Sequence, residues 1–217
     1  MNSLELFQAL FAGGLLLAGV LTAMTLRLQL MLRLYAIASL CLAALTVGLA
    51  LEHGTNHLLI AAAATLLIKV ILIPSIVGRM VKRVGASMRL ISSLRPTTTL
   101  FLVVAVLCLV LFNIRQSAFF ETVDPSYVLF VSVSLLLIGF LMMILRRDIY
   151  SEIIGFLTLE NGIALFSIAT IGSGPAFVEI GIFSVILIGA VLMTLLSRRI
   201  CELYGTENTD TLRELID

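Results

Sequence analysis

The sequence has few charged residues, few histidines and cysteines, and no tryptophan. Charged side chains make up 12% of its 217 residues and apolar ones 60%. Soluble domains carry about 25% charged residues. A chain this apolar cannot cover itself with a hydrated surface, and a net charge of +1 offers no basic face for nucleic acid. The composition excludes an ordinary soluble domain and predicts an integral membrane protein.

The shortage of metal-binding and nucleophilic side chains argues against a resident cofactor. Cys41, Cys108 and Cys201 are far apart and form no CxxC pair, so neither a zinc site nor an iron–sulfur cluster is expected. His53 and His57 lie in one short connection, where polar interfacial side chains are a simpler interpretation than a metal site. The sequence also lacks a phosphate-binding loop and a nucleophile motif. We therefore expect no cofactor, no metal and no catalytic residue in this chain.

Seven apolar stretches are long enough to cross a membrane, because a hydrocarbon core of about 30 Å needs about 20 helical residues. This pattern predicts an all-α fold, a polytopic transmembrane helical bundle of about seven helices. The predicted spans are Leu4–Leu26, Leu32–Leu51, His57–Val77, Thr97–Ile114, Ser126–Leu145, Ile149–Ile171 and Phe177–Leu196.

The basic residues give the orientation of the bundle. Twelve of the 14 lysines and arginines lie in alternate connections or in the C-terminal tail. These are Arg27, Arg33, Arg79, Lys82, Arg83, Arg89, Arg95, Arg146, Arg147, Arg198, Arg199 and Arg213. Arg115 is on the other side, and Lys69 falls inside a span. The positive-inside rule then places the N-terminus outside and the C-terminus in the cytoplasm.

Two charged residues are predicted near the centre of the membrane, where a charge costs about 2.5–3.5 kcal/mol on insertion scales. Lys69 lies about 12 residues into the third span and Glu160 about 11 residues into the sixth. Pro74 lacks an N–H group, so the carbonyl of Val70 loses its helical partner and a kink is expected beside Lys69. Lys69 is interpreted either as a titrating residue in a polar pathway or as half of a permanent ion pair.

Glu160 is the acid that the sequence marks most clearly for proton transfer. Asn161 can donate a hydrogen bond to a carboxylate, and Gly162 lets a neighbouring helix approach closely. Removal from water disfavours the ionised carboxylate, which makes both protonation states accessible near neutral pH. The alternative is a permanently protonated acid that only joins helices. Glu179 and Glu152 lie nearer the membrane surfaces and are weaker candidates for the same relay. Glu179 could simply reach water, and Arg146 and Arg147 near Glu152 suggest an ordinary interfacial ion pair.

Two regions between and after the spans have their own interpretations. The longest connection, residues 79–95, is either a basic amphipathic segment on the inner membrane surface or an extension of the third helix. Residues 201–217 form a polar cytoplasmic tail. We predict an N-terminal four-helix region over residues 1–125 and a three-helix region over residues 126–200.

The chain resembles the hydrogenase-4 component E family, whose members are membrane subunits of formate hydrogenlyase-type and related [NiFe]-hydrogenase complexes. The resemblance covers nearly all of the chain. It is carried by Ile68-Lys69-Val70-Ile71-Leu72-Ile73-Pro74, by Gly155-Phe156-Leu157-Thr158-Leu159-Glu160-Asn161-Gly162, and by Val178-Glu179-Ile180-Gly181-Ile182.

The last three spans also resemble the K-type membrane subunit of respiratory complex I. In that subunit an Arg-Arg-Asn turn precedes an Ile-Gly pair and a glutamate, and here Arg146-Arg147-Asp148 precedes Ile154-Gly155. The first K-type glutamate falls at Leu157, so Glu160 is shifted by nearly one turn. The second falls near Val185, and Glu179 lies more than a turn closer to the outside.

The resemblance implies a subunit of a bacterial or archaeal inner membrane complex that contributes to proton translocation. Its neighbours would be antiporter-like membrane subunits and a quinone-subunit-like membrane protein, with [NiFe] and iron–sulfur centres in peripheral subunits. Two alternatives stay open: a subunit of a multisubunit cation/proton antiporter without a redox partner, and a structural membrane linker whose buried charges never titrate.

Overall fold

The described part of the protein is a bundle of helices. The computed structural model describes residues 3–53, 56–75, 78–79, 95–116 and 126–171. Its helices are α1 (Ser3–Met24), α2 (Leu28–His53), α3 (Asn56–Thr65), a π-helical segment (Leu66–Leu72), α4 (Pro96–Gln116), α5 (Ser126–Leu145) and α6 (Ile149–Ile171). The predicted seventh span, Glu179, most of the 79–95 connection and the tail lie outside the described residues.

Five of these helices are long and apolar enough to cross a membrane. They cover Ser3–Met24, Leu28–Glu52, Pro96–Gln116, Tyr127–Leu145 and Tyr150–Thr170. Each has 19 to 25 residues, and about 20 residues suffice for the hydrocarbon core. The predicted class, an all-α multi-pass membrane protein, is therefore confirmed, whereas the count of seven spans stays a prediction.

The described part of the span predicted at His57–Val77, as far as Ser75, is a continuous helix of mixed type. The α-helix of Asn56–Thr65 passes into the π-helical segment at Leu66, and helical structure continues to Ser75. The N–H of Ile73 donates to the carbonyl of Ile68, five residues earlier. Pro74, which has no N–H group to donate, follows Ile73 directly, and the loss of a helical partner for the Val70 carbonyl stays a prediction.

The first connection is shorter than the predicted spans imply. Helix α2 begins at Leu28, so Arg33 lies in the first turns of that helix and only Arg27 lies in the turn before it. Both arginines are exposed. Long basic side chains near a helix end can reach the headgroup region, so the positive-inside argument is unaffected.

Glycines allow helices α5 and α6 to pack closely against each other. A Cβ atom added to Gly162 would lie 2.6 Å from the backbone nitrogen of Leu136 and 2.9 Å from the carbonyl oxygen of Ser132. A Cβ atom at Gly139 would collide with the backbone of Leu159. Small residues at a membrane helix crossing allow this backbone-to-backbone approach. Gly162, which immediately follows Glu160 and Asn161, therefore fixes their distance from α5.

We expect Gly162→Ala to destabilise the purified protein, because the added methyl group must push two backbones apart. Overpacking of this kind costs about 1–3 kcal/mol. Gly13→Ala in α1 is the matched control, since a Cβ atom there meets nothing within 4 Å. Thermal unfolding in detergent measures both variants. Equal midpoints for Gly162→Ala and Gly13→Ala would contradict the close packing of α5 on α6.

Two apolar clusters occupy the described core, one toward each end of the bundle. The first includes Met31, Tyr35, Met142 and Ile154, from the half that the positive-inside rule places at the cytoplasmic side. The second packs the opposite half of α1, α2, α5 and α6. Glu160 lies in the chain between members of the two clusters, so polar chemistry at that level is enclosed above and below by apolar side chains.

The predicted orientation can be tested by chemical labelling. A cysteine introduced near Lys82 in a cysteine-free background should react only from the cytoplasmic side, and one near Thr122 only from outside. Both positions are in predicted connections beyond the described residues. Labelling of the two positions from the same side would contradict the alternation of basic connections.

Candidate buried ion-pair site

The two charges predicted at the membrane centre meet in the structure. The ammonium nitrogen Nζ of Lys69 lies 2.5 Å from Oε1 of Glu160, and the two side chains are 2% and 1% exposed. Lys69 is held by the π-helical segment and Glu160 by the middle of α6. An isolated charge in this position would be strongly disfavoured, so each residue is the electrostatic reason that the other can be charged there.

Asn161 extends the pair toward α2. Its amide oxygen Oδ1 accepts a hydrogen bond of 3.0 Å from Lys69, and its amide nitrogen Nδ2 donates a 3.3 Å bond to the hydroxyl of Ser39. Ser39 and Asn161 are both buried. Tyr35, one turn earlier in α2 and fully buried, lies close enough to interact electrostatically with Glu160. These five residues are called the central polar cluster below.

Glu160 offers one further acceptor. Its oxygen Oε2 is buried and has no hydrogen-bond partner within the described residues. Buried polar atoms are nearly always bonded, because an unmade bond retains the cost of removal from water. Among the described residues, Oε2 is therefore an acceptor without a donor next to a cation, and a transferable proton could bind there.

The backbone that carries Lys69 has an unusual conformation, a π-helix. Short π-helical stretches are rare and occur often at functional sites. Seven residues of π-helix, Leu66–Leu72, place Lys69 at their centre, and half-buried Pro74 follows within two turns. Widening the helix weakens the regular hydrogen-bond ladder at the point where the lysine is mounted. The π-helical segment therefore marks the backbone around Lys69 as a candidate functional position.

Of the two weaker sequence candidates, Glu152 is described by the structure, and it is not joined to this cluster. Glu152 is partly buried near the start of α6, eight residues or about 12 Å from Glu160 along the helix axis. The interfacial ion pair that Arg146 and Arg147 suggested is not found: within the described residues Glu152 forms no ion pair, and the charged group that acts on it is Asp148. Glu179 lies outside the described residues.

Arg146 instead binds the end of α1. Its Nη2 group donates hydrogen bonds of 2.6 Å and 2.7 Å to the carbonyl oxygens of Ala23 and Thr25. The last carbonyls of a helix lack intrahelical partners and carry partial negative charge, so a buried cation stabilises them. Burial lowers the pKa of Arg146, and the nearby Asp148 carboxylate opposes this effect.

Asp148 caps α6 from the same turn. Its Oδ1 accepts a 2.8 Å hydrogen bond from the backbone N–H of Ser151, as an N-terminal capping residue does. Burial raises the pKa of Asp148, and the hydrogen bonds from Ser151 and the charge of Arg146 lower it. The sequence signal for this cap was available, since an aspartate stands immediately before the sixth apolar stretch with a polar residue three positions later.

We expect Arg146→Gln to lower the free energy of unfolding by about 2 kcal/mol, because charge-assisted hydrogen bonds to two carbonyls are lost. Arg27→Gln is the matched control, since Arg27 is exposed at the neighbouring turn. Chemical denaturation in mixed micelles compares the two. An Arg146→Gln protein as stable as Arg27→Gln would show that the bonds to Ala23 and Thr25 contribute nothing.

A second polar contact lies at the opposite end of the bundle and was not anticipated from the sequence. Gln8 of α1 donates a 2.7 Å hydrogen bond to Glu52 of α2, and Tyr127 of α5 donates one of 3.1 Å to Gln8. Gln8 is buried. The contact joins three helices near the predicted outer surface, and a single glutamine in the first turns of an apolar helix is the only sequence signal for it.

The fold and the site define a multi-pass membrane protein with a buried ion pair at its centre. The chain is 29% identical over 209 residues to the uncharacterized protein Rv0085 of Mycobacterium tuberculosis, covering 95% of this chain and 94% of that protein. It is 26% identical over 181 residues to hydrogenase-4 component E of Escherichia coli K12, covering 83% and 84% of the two chains. The same protein of Shigella flexneri matches equally.

These similarities support a distant family-level relationship to hydrogenase-4 component E over most of the chain. No family model matches the chain, and no solved structure matches it either. The resemblance of the last three spans to the K-type subunit stays a prediction.

Proposed function

We propose that this chain is an accessory membrane subunit of a hydrogenase-4-like redox complex in a bacterial or archaeal cytoplasmic membrane. The similarity to hydrogenase-4 component E spans most of both chains, and the described helices suit a subunit embedded in the bilayer. Its neighbours would be antiporter-like subunits and a quinone-subunit-like protein. The [NiFe] and iron–sulfur centres would belong to peripheral subunits.

We further propose that the subunit carries protons through the Lys69–Glu160 pair. The observation that carries this proposal is a fully buried ion pair, 2.5 Å apart, between two residues that the sequence predicts near the middle of the membrane. Within such a pair a proton can move from the ammonium to the carboxylate, which converts two charges into two neutral groups. A proton arriving from one side can then reload the lysine, and one leaving the glutamic acid can pass to the other side.

The surroundings of the pair support a controlled transfer. Asn161 accepts a hydrogen bond from the same ammonium group, while Ser39 and Tyr35 place hydroxyl groups within the same cluster. Apolar clusters enclose this level from both ends. Proton passage then requires a rearrangement that admits water, and the π-helical segment at Lys69 is the natural place for it. In this scheme Glu152 takes protons near the cytoplasmic side and Glu179 serves the outer side.

Purification in mild detergent, followed by identification of the bound proteins, tests the assignment. We expect nickel-containing and iron–sulfur subunits together with antiporter-like membrane subunits. Antiporter-like subunits without any redox protein would assign the chain to a cation/proton antiporter instead. Recovery of the chain without partners from membranes that retain hydrogenase activity would contradict both.

A further inference from the structure

The oxygen atoms of the central polar cluster are of the kinds that hard metal cations bind. Glu160 provides a carboxylate oxygen and Asn161 an amide oxygen, both next to the ammonium of Lys69, and the buried hydroxyl of Ser39 is bonded to the nitrogen of the same Asn161 amide. Carboxylate, amide and hydroxyl oxygens are typical ligands of such ions. Without Lys69, this group would be a reasonable pocket for a monovalent cation such as Na⁺.

Lys69 occupies that position with its own charge. Its ammonium nitrogen lies 2.5 Å from the carboxylate oxygen and 3.0 Å from the amide oxygen. An ammonium group has three hydrogen-bond donors and no acceptor, so it uses the same oxygens that a metal ion would use. A second cation entering beside it would meet a like charge in a low-dielectric environment, where repulsion is strong.

We infer that Lys69 is a built-in cation that excludes alkali metal ions from the Glu160 site, so that the ion moved through this pair is H⁺ and not Na⁺. The inference rests on the proposed function in taking the pair to lie on the ion's path. Lys69 does not exclude a proton in this way. A proton can bind to Oε2 of Glu160 or leave from Nζ of Lys69, and neither step needs the position between the oxygens that the ammonium occupies. Na⁺ needs that position and finds it filled.

The experiment measures Na⁺ binding by the purified full-length chain in detergent. Thermal unfolding is recorded in NaCl and in choline chloride at equal ionic strength, for the wild type, Lys69→Ala, Lys69→Met and the double variant Lys69→Ala with Glu160→Gln. The wild type should unfold at the same temperature in both salts. Lys69→Ala should gain several degrees selectively in NaCl, because the ion replaces the missing ammonium beside Glu160.

The other two variants are the controls. Lys69→Met fills the space without a charge and should respond little to Na⁺, and removal of the carboxylate in the double variant should abolish the response. A saturable Na⁺ stabilisation of the wild type would overturn the inference. So would a Lys69→Ala protein that shows no Na⁺ response, or one that cannot be obtained folded in either salt.

This test is independent of complex membership. Failure to recover redox partners would remove the proposed function and leave the Na⁺ result standing. A Na⁺-responsive wild type would remove the exclusion of Na⁺ and leave membership in the complex untouched.

Discussion

Replacing Glu160 by glutamine is expected to give an assembled complex. In this complex either the redox reaction no longer drives proton movement, or the redox reaction and proton movement are both slower. Glutamine keeps the shape of the side chain and an oxygen that can accept from Lys69, which lies 2.5 Å from the carboxylate in the native protein. It cannot take up or release a proton. General acid–base groups contribute about 10²–10⁴-fold to a proton-transfer step, so loss of the carboxyl should reduce transfer by at least the lower figure.

The aspartate variant separates a relay from a structural contact. Glu160→Asp retains an acid one methylene group short and should retain part of the coupling. If Glu160 only joined helices, the ranking would reverse and glutamine would be tolerated fully. Proton uptake per turnover decides between them, with Glu5→Gln as the control, because Glu5 is exposed at the start of α1. Full coupling in Glu160→Gln would remove this residue from the pathway.

Lys69→Met is expected to lower proton translocation strongly while leaving much of the complex assembled. The change removes the group that donates to both Glu160 and Asn161. Breaking a buried pair by removing one partner costs about 3–5 kcal/mol when the other stays charged. Glu160 can avoid most of this cost by binding a proton, since a buried acid neutralises rather than remain an isolated charge.

The double variant Lys69→Met with Glu160→Gln provides the internal control for stability. It leaves no stranded charge, so it should be more stable than Lys69→Met while remaining inactive in proton movement. Subunit recovery and proton uptake are measured together. If Lys69→Met never assembles but the double variant does, and if that double variant still pumps, the pair is structural.

The sequence predicted that Lys69 and Glu160 both lie near the middle of the membrane, but it did not predict that they contact each other. Lys69 and Glu160 were each identifiable because a charge in an apolar span is costly. Their contact joins elements whose residues lie about 90 positions apart in the chain, as do Lys69 and Asn161 at a separation of 92. Span length and hydropathy carry no information about which helix faces which, so a partner across the bundle could not be assigned.

The sequence pattern of the third span also did not predict its π-helical segment. Leu66–Leu72 is an ordinary apolar stretch, and the absence of an N–H group at Pro74 pointed to a kink. The structure has a π-helical segment over Leu66–Leu72, with a hydrogen bond from Ile73 to Ile68, and hydropathy carries no information about this change of register. Gly162 was more informative, because it predicted the close approach of a neighbouring helix, which the structure shows to be α5.

At Arg146, sequence proximity did not predict the correct binding partner. Arg146 and Glu152 are six residues apart at a predicted membrane surface, which favoured an interfacial ion pair. Arg146 is buried and directed toward the carbonyls at the end of α1. Those unsatisfied carbonyls exist only once α1 ends beside this turn, which is a fact of tertiary structure.

Infrared difference spectroscopy of the working complex tests the central claim most directly, because a protonated carboxyl group and a carboxylate absorb at separate positions. If the Lys69–Glu160 pair exchanges a proton during turnover, a carboxyl signal should appear and disappear with the redox state. That signal should be absent in Glu160→Gln and present in the Glu5→Gln control. A spectrum in which Glu160 keeps one protonation state through complete turnover would contradict the account.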